Sequence, residues 1–366
     1  MPLGLRIPFT GLQRQYKQLR NEILDVTDQV LSSGQLMNGK YTREFEEWLA
    51  KANDVEYAVT CHSGTHALEI LAEFWEIEHV RKPPCVLIPS LTYVATANAF
   101  IRAGWDIHFI DTNKYGMFDT TKIPHNLDYQ AVVLVGLYGA GLIDSMDLGL
   151  WSERNRRGII VIEDAAQHWI GNNFLRTGDC TAISFDPMKN LSSYGNGGAI
   201  VTDQGDLAKF AKSWCNNGNP RHDMVGTNSR MSELDCASLL VKTGYLAEWQ
   251  SRRANISKHY IERFKDSNLR CLIDDTNADG HANHKFVIEV DDRDLLQHTL
   301  KSAGIETKIH YEKPLHELSV YRQYPGPDIL SASSSLSRRC LSLPIYPELQ
   351  DSEVDFIADQ VLACLI

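Results

Sequence analysis

The stretch ISFDPMKNLSSYGNGGAIVT, residues 183–202, shows most directly how this chain folds. It begins and ends with short apolar runs, and between them Lys189 lies in a loop rich in serine and glycine. A second apolar run, IIVI at residues 159–162, precedes it and is followed by Glu163 and Asp164. Continuous apolar runs of this length are typical of strands buried on both faces, so the region is predicted to form part of a mostly parallel sheet.

The same alternation of strand and helix recurs towards the N-terminus. Apolar runs at residues 56–61, 85–90 and 131–135 each lead through a turn to a helical pattern, the last of them from about Met146 to Arg156. One helical face after the first run is apolar and consists of Ala67, Leu68, Leu71, Ala72 and Trp75. Strands that alternate with helices indicate an α/β domain with helices on both faces of the sheet.

The chain has 366 residues, which is more than one hydrophobic core usually serves, so two domains are expected. We predict a large α/β domain with a helical N-terminal arm over residues 1–240. A long helix from Leu240 to Phe264 is expected to bridge to a small α+β domain, which together with that helix covers residues 241–366. The small domain is predicted to contain a strand–helix–strand unit, formed by KFVIEV (285–290), a helix and the strand-like ETKIHY (306–311).

Composition excludes several classes of protein. The formal net charge of −11 argues against nucleic acid and anionic membranes as partners, because both would be repelled on average. The eight cysteines show no metal-ligand spacing, so no metal site and no disulfide framework is expected. The apolar part of the N-terminus is too short for a signal peptide and no apolar run is long enough to span a bilayer, so we expect a cytoplasmic protein.

Asp164 and Lys189 are the residues that suggest chemistry. Asp164 follows an apolar run, and the carboxyl ends of parallel strands are where such sheets bind ligands. A carboxylate there can keep the pyridine nitrogen of pyridoxal phosphate protonated, and a lysine can hold that cofactor as a Schiff base. Taken singly, Asp164 is more typical of a helix cap and Lys189 of a surface loop.

Three other positions suit the same cofactor. Ser63, Gly64 and Thr65 form a turn between a strand and a helix, where free backbone N–H groups can bind a phosphate. Ser184 offers a further hydroxyl, and Tyr93 offers a ring to stack on a planar cofactor. Ordinary helix capping, a buried strand serine and a core aromatic are the respective alternatives.

Taken together, these stretches give the chain its resemblance to a known family. The sequence resembles the DegT/DnrJ/StrS family of sugar aminotransferases, pyridoxal-phosphate enzymes of fold type I. The matching stretches run in the family's order from about Pro8 to Leu362 and include SGTHALEIL, PSLTYVATANAF, VIEDAAQ, SFDPMKNLSSYGNGGAIVT, GTNSRMSELDCASLL and KIHYEKPLHELSVY. The combination of EDAAQ with SF-x-P-x-K-N is the most specific part of the resemblance.

The resemblance implies a large domain with a mostly parallel seven-stranded sheet and a role for each matching residue. Lys189 would carry the cofactor as a Schiff base and move protons, and Asp164 would pair with the pyridine nitrogen. Gln167 would lie near the phenolic oxygen, and Tyr93 would stack on the ring. The phosphate would be held by Gly64, Thr65 and Ser184, and by Asn228 of a second subunit in a homodimer.

The implied reaction transfers an amino group from L-glutamate, through pyridoxamine phosphate, to a keto group of a nucleotide-linked sugar. Candidate substrate residues are His310, His316, Arg230 and Lys308. The chain departs from the family's usual V-H-L-Y-G at residues 135–139, where it reads VGLYG, and in SWCNNGNPRHD at 213–223. Transamination of a cyclitol or an aminohydroxybenzoate precursor is the main alternative. Sugar dehydration is a further one, although relatives that dehydrate sugars have a histidine in place of Lys189.

Overall fold

The computed structural model describes residues 6–78, 83–124, 126–142, 148–170, 178–273, 280–326 and 330–365. The helices are α1 (Leu12–Ser33), α2 (Lys40–Ala52), α3 (Gly64–Glu78), α4 (Val94–Arg102), α5 (Leu148–Arg157), α6 (Gly205–Trp214), α7 (Glu233–Thr243), α8 (Leu246–Phe264), α9 (Arg293–Ser302), α10 (Ser331–Arg339) and α11 (Asp351–Ala363). The strands are β1 (Tyr57–Cys61), β2 (Cys85–Pro89), β3 (Asp106–Ile110), β4 (Ala131–Val135), β5 (Ile160–Asp164), β6 (Cys180–Ser184), β7 (Gly198–Thr202), β8 (Arg270–Cys271), β9 (Phe286–Glu289) and β10 (Cys340–Leu343).

Seven strands form the main sheet in the order β1-β7-β6-β5-β4-β2-β3. Strand β7 runs antiparallel to both of its neighbours, and the other pairs are parallel. The predicted α/β fold with a mostly parallel seven-stranded sheet is therefore confirmed. Because β1 and β6 both run opposite to β7, the carboxyl ends of β1, β2, β4, β5 and β6 lie at the same edge.

The sheet is buried on both faces, as its continuous apolar strands predict. In β4, Val133 and Val135 pack into one hydrophobic cluster, and Val132 and Leu134 pack into another on the opposite face. Along the predicted apolar face of α3, residues 67, 68, 71 and 72 are fully buried and Trp75 is partly buried. Burial on both sides explains why the strands lack the polar alternation of a solvent-facing sheet.

Strands β10, β9 and β8 form a second, antiparallel sheet. Helices α8, α9 and α11 pack against it around a separate hydrophobic cluster that includes Tyr260, Phe286 and Ile357. The division of the chain at residue 240 stays a prediction. Within the described part of the chain, no helix is both long and apolar enough to cross a membrane.

Three sequence predictions about local structure need correction or fall outside the description. ETKIHY is not a strand: within it only Lys308 forms an isolated bridge, to Ser342, and β9 pairs with β8 and β10 instead. The helix predicted from Leu240 is interrupted, since α7 ends at Thr243 and α8 begins at Leu246 with Gly244 between them. The third prediction began at Met146, which lies outside the described residues, and helix α5 begins at Leu148.

Candidate active site

A cavity of about 350 Å³ opens at the carboxyl ends of the main-sheet strands. Ser63, Thr92, Val135, Asp164 and Ser184 line it at or just after the ends of β1, β2, β4, β5 and β6 respectively. Parallel α/β sheets bind ligands at this edge, because the loops that leave the strands can face one shared crevice. The cavity is therefore the candidate active site.

The cavity brings together most of the residues predicted from the sequence. Its lining includes Gly64, Thr65, Tyr93, Asp164, Gln167, Ser184, Lys189 and His310. They come from widely separated parts of the chain, and the fold places them around one space.

Asp164 is the buried acid of this cavity. Its side chain accepts hydrogen bonds from Thr96 Oγ1 at 2.9 Å and from the backbone N–H of Ala166 at 3.2 Å. Burial raises the pKa of Asp164, while these two donors and the nearby Lys189 act to lower it. A carboxylate so enclosed suits a cationic ring N–H, which would favour its ionised form. Its neighbour Glu163 instead accepts hydrogen bonds away from the cavity, from His168 and Thr181.

Lys189 lies in the turn that follows β6. Its backbone N–H donates to the carbonyl of Asp186 at 2.8 Å, and the Asp186 side chain accepts from the N–H of Met188 at 2.9 Å. Burial lowers the pKa of Lys189, and Asp164 and Asp186 partly oppose that effect. A lowered pKa increases the fraction of neutral amine, which is the form that attacks a carbonyl carbon.

Gly64, at the first position of helix α3, forms a cradle with Ser184. A Cβ atom added to Gly64 would stand 2.7 Å from the Cβ of Ser184, so only glycine allows this approach. Free N–H groups at a helix N-terminus, with Thr65 and Ser184 hydroxyls beside them, suit a phosphate. The Ser63 hydroxyl also accepts from the N–H of His66 at 3.2 Å, so the capping interpretation of that serine holds as well.

Aromatic side chains line the mouth of the cavity. Tyr93 is 56% exposed, and its ring centroid lies 5.9 Å from that of Tyr311. Gln167 accepts from the backbone N–H of Tyr138 at 2.9 Å and donates to the Tyr311 hydroxyl at 3.4 Å. Tyr93 is thus free to stack on a planar ring, and Gln167 is held in place beside it.

His310 lies in the cavity wall next to Tyr311. Its Nδ1 pairs with the Ser342 hydroxyl at 2.8 Å, and its backbone carbonyl accepts from the Tyr138 hydroxyl. Burial lowers the pKa of His310 to about 3, with Lys285 and Lys189 adding to the effect. At neutral pH this imidazole is uncharged, so it offers a hydrogen bond rather than a cation.

Four predicted residues are absent from the cavity lining in the described part of the chain: Asn228, Arg230, His316 and Lys308. Asn228 is exposed and accepts from Arg230 at 3.3 Å. His316 lies beside Ser334, and Lys308 is exposed next to the bridge to Ser342. Their proposed roles towards substrate or a second subunit stay predictions.

Sequence reasoning missed several residues of the cavity. Thr96 and Tyr311 lie inside stretches that carried the resemblance, so their proximity to other motif residues was the available signal. His284 and Lys285 gave no such signal, because they precede a strand of the other sheet. His284 is buried and its Nδ1 pairs with Asn190 Oδ1 at 3.1 Å.

Gly136, where the chain departs from the family's usual V-H-L-Y-G, lies directly against a buried histidine. A Cβ atom at Gly136 would stand 2.0 Å from Nδ1 of His168, whose Nε2 lies 2.8 Å from a carboxylate oxygen of Glu163. A histidine ring from residue 168 thus occupies the space beside residue 136.

The fold and the cavity define a transferase of fold type I. Residues 17–362 match the DegT/DnrJ/EryC1/StrS aminotransferase family, and the chain belongs to that family. It is an aminotransferase.

Relatives and solved structures match nearly the whole chain. The dTDP-3-amino-3,4,6-trideoxy-alpha-D-glucose transaminase of Streptomyces venezuelae is 29% identical over 97% of this chain and 95% of its own. The UDP-2-acetamido-2-deoxy-3-oxo-D-glucuronate aminotransferase of Pseudomonas aeruginosa is 29% identical over 96% and 98%. The structure of S. venezuelae DesV in complex with a ketimine intermediate has a TM-score of 0.91 and 28% identity, and 99% of each chain is covered. That of NtdA from Bacillus subtilis with bound PMP has a TM-score of 0.87 and 26% identity, with 98% and 85% covered.

Proposed function

We propose that this aminotransferase binds pyridoxal phosphate in the described cavity and moves an amino group from L-glutamate to a keto group of a nucleotide-linked sugar. One observation carries the proposal: a buried acid, Asp164, an amine of lowered pKa, Lys189, and a glycine cradle at Gly64 face a single cavity. The sugar part is supported by the relatives, whose names specify dTDP- and UDP-linked sugars.

The residues present fit the cofactor. Gly64 and Thr65 at the start of α3, with Ser184, would hold the phosphate, and Asp164 would face the pyridine nitrogen. Tyr93 would cover the ring. When bound, pyridoxal phosphate supplies an electron sink and a carbon that stores the amino group between half-reactions.

The side chains of this protein would supply the proton transfers. Once its link to the cofactor is broken, the Lys189 amine would take a proton at Nζ from the reacting carbon of the amino donor. In the second half-reaction it would return a proton to the reacting carbon of the acceptor. Asp164, fixed by Thr96, stays ionised against a positive ring. We further propose a homodimer in which the exposed Asn228 reaches the cofactor phosphate of the partner subunit.

Visible absorbance with L-glutamate tests the function. The purified protein is expected to be yellow with pyridoxal phosphate and to lose that colour when L-glutamate is added. Borohydride reduction followed by peptide mass spectrometry should place the trapped cofactor on Lys189. A colourless protein that takes up no pyridoxal phosphate would refute the proposal.

The Lys189→Ala variant tests the role of the amine. It should bind the cofactor without a covalent link and fail to turn over. A panel of keto-sugar nucleotides, read by mass spectrometry, then gives the acceptor and the carbon that is aminated. Transfer to a keto-cyclitol and to no nucleotide sugar would favour the alternative substrate class.

A further inference from the structure

Lys285 is a buried lysine in the wall of the active-site cavity. Its side chain is 7% exposed, and it lines both this cavity and an adjoining smaller one of about 30 Å³. Lys189 lines the same two cavities. The two residues therefore border the same space, and Lys189 is close enough to affect the pKa of Lys285.

The amine of Lys285 has no polar partner among the residues that the structure describes: none of their hydrogen bonds or ion pairs involves Nζ. Nζ lies 5.0 Å from the centroid of the Phe9 ring, which lines the smaller cavity. A buried lysine without a polar partner destabilises a fold, because contact with an aromatic ring offsets only part of the hydration that its ammonium loses. Such a residue in a cleft is a candidate for a functional role.

The charges around Lys285 are mainly positive. Burial lowers the pKa of Lys285 well below its ordinary value. The pKa is lowered further by the cations Lys189, Arg253 and Lys308, and Asp186 acts against this effect. The neighbouring imidazoles of His284 and His310 have lowered pKa values and bring no negative charge. An anion entering this part of the cavity would supply the negative charge that Lys285 lacks, and it would favour the protonated form of the amine.

We propose that Lys285 Nζ binds a carboxylate of the substrate beside the carbon that exchanges the amino group. This inference rests on the proposed function and adds a specificity-determining residue to it. The cofactor phosphate has its own cradle at Gly64 and Ser184, so Lys285 is not needed there. Because Lys285 and Lys189 line the same two cavities and interact electrostatically, an anion bound by Lys285 would be attached close to the reacting carbon. That position suits a carboxylate and not a distant diphosphate.

Two ligands can bring that carboxylate. One is the acidic amino donor, and the other is a keto sugar whose terminal carbon is oxidised to a carboxylate. A charge-assisted hydrogen bond to the same amine would serve in either half-reaction. The experiment therefore measures the half-reactions separately.

The test compares Lys285→Met with the wild-type holoenzyme. Methionine keeps most of the side-chain volume and removes the charge, and Lys285→Gln is the second variant if Met does not fold. The matched control is Lys242→Met: Lys242 is also buried, but it lies outside the cavity, and its amine donates to the Ser192 carbonyl at 2.6 Å. Wild-type protein must first show the covalent link at Lys189 and the colour change with L-glutamate, so failure of the proposed function is seen before any variant is compared.

The concentration of L-glutamate for half-maximal colour loss reports the donor half-reaction. The acceptor half-reaction is followed with a nucleotide-linked keto-uronate and with the matching keto-hexose, which has a hydroxymethyl group in place of the carboxylate. If Lys285→Met needs about 10- to 100-fold more L-glutamate for half-maximal colour loss and the control is unchanged, Lys285 binds the donor carboxylate. If instead only the half-maximal concentration of the keto-uronate rises by this factor, Lys285 binds the sugar carboxylate. No change with any ligand, or an equal rise for keto-uronate and keto-hexose with L-glutamate unaffected, overturns the inference.

Discussion

Thr96 of helix α4 donates a 2.9 Å hydrogen bond from its hydroxyl to Asp164 at the end of β5. Both side chains are buried, so the bond fixes the carboxylate where it faces the cavity. The hydroxyl also acts to lower the pKa of Asp164 against the effect of burial. A residue outside the predicted site thus maintains both the orientation and the charge of the proposed cofactor acid.

Thr96→Val should weaken binding of pyridoxal phosphate about 10-fold, since a hydrogen bond to a charged group contributes about 1.5 kcal/mol. The measurement is a fluorescence titration of the apoprotein with the cofactor. Thr112→Val is the matched control, because Thr112 is also buried and its hydroxyl has no partner in the described part of the chain. Equal affinities of Thr96→Val and wild type would show that the Thr96 hydroxyl does not support Asp164.

Gly64→Ala should weaken cofactor binding more strongly than Thr96→Val. The added methyl group would stand 2.7 Å from the Cβ of Ser184, so one side of the phosphate cradle has to move. The same titration measures the effect. Gly195→Ala is the control on the Lys189 loop, where the nearest atom to an added Cβ is 3.8 Å away. Unchanged affinity in Gly64→Ala would contradict the assignment of the cradle.

Gly136→Ala should lower the free energy of unfolding by about 1–3 kcal/mol, because the new methyl group overlaps the ring of His168. Denaturant titration measures the loss. His168→Ala removes the obstacle, so the double variant should be no less stable than His168→Ala alone. A purely additive result would mean that the two positions do not share this space.

Asp186→Asn should extend cofactor capture to lower pH. The Asp186 anion raises the pKa of Lys189, so its removal lowers that pKa further and keeps the amine neutral in more acidic solution. Asparagine retains the oxygen that accepts from Met188, so the turn is preserved. The rate of covalent attachment measured against pH should reach half its maximum at a lower pH than in wild type. A shift to higher pH would show that Asp186 acts in another way.

Mixing two defective variants tests the shared active site. Lys189→Ala and Asn228→Ala are each expected to be impaired. If the partner supplies Asn228, half of the randomly mixed dimers contain one intact site of two, which gives about one quarter of wild-type activity. Activity of the mixture equal to the mean of the two variants would place Lys189 and Asn228 in independent sites.

Which residues could be predicted from the sequence depends on how local their signals are. Asp164, Ser184 and the Ser63–Thr65 turn follow directly on apolar strands, and in a parallel sheet the strand ends must meet at one edge. Lys285 precedes a strand of the other sheet, and nothing in its neighbourhood along the chain separates it from a surface lysine. In ETKIHY, polar and less polar residues alternate as they do in a strand. The stretch instead forms part of the cavity wall, through His310 and Tyr311.

The sequence by itself determined the fold class and the family, because apolar strands and their end residues follow local rules of burial and turn formation and the family's motifs lie in short stretches of chain. It also predicted most of the residues that line the cavity. Only the tertiary structure decided that Thr96 fixes Asp164, that His168 fills the space beside Gly136, and that Lys285 lines the same cavity as Lys189. These relationships join residues that are 68, 32 and 96 positions apart, by subtraction of their numbers. Such contacts arise from the packing of whole elements against one another, which no short stretch of chain encodes.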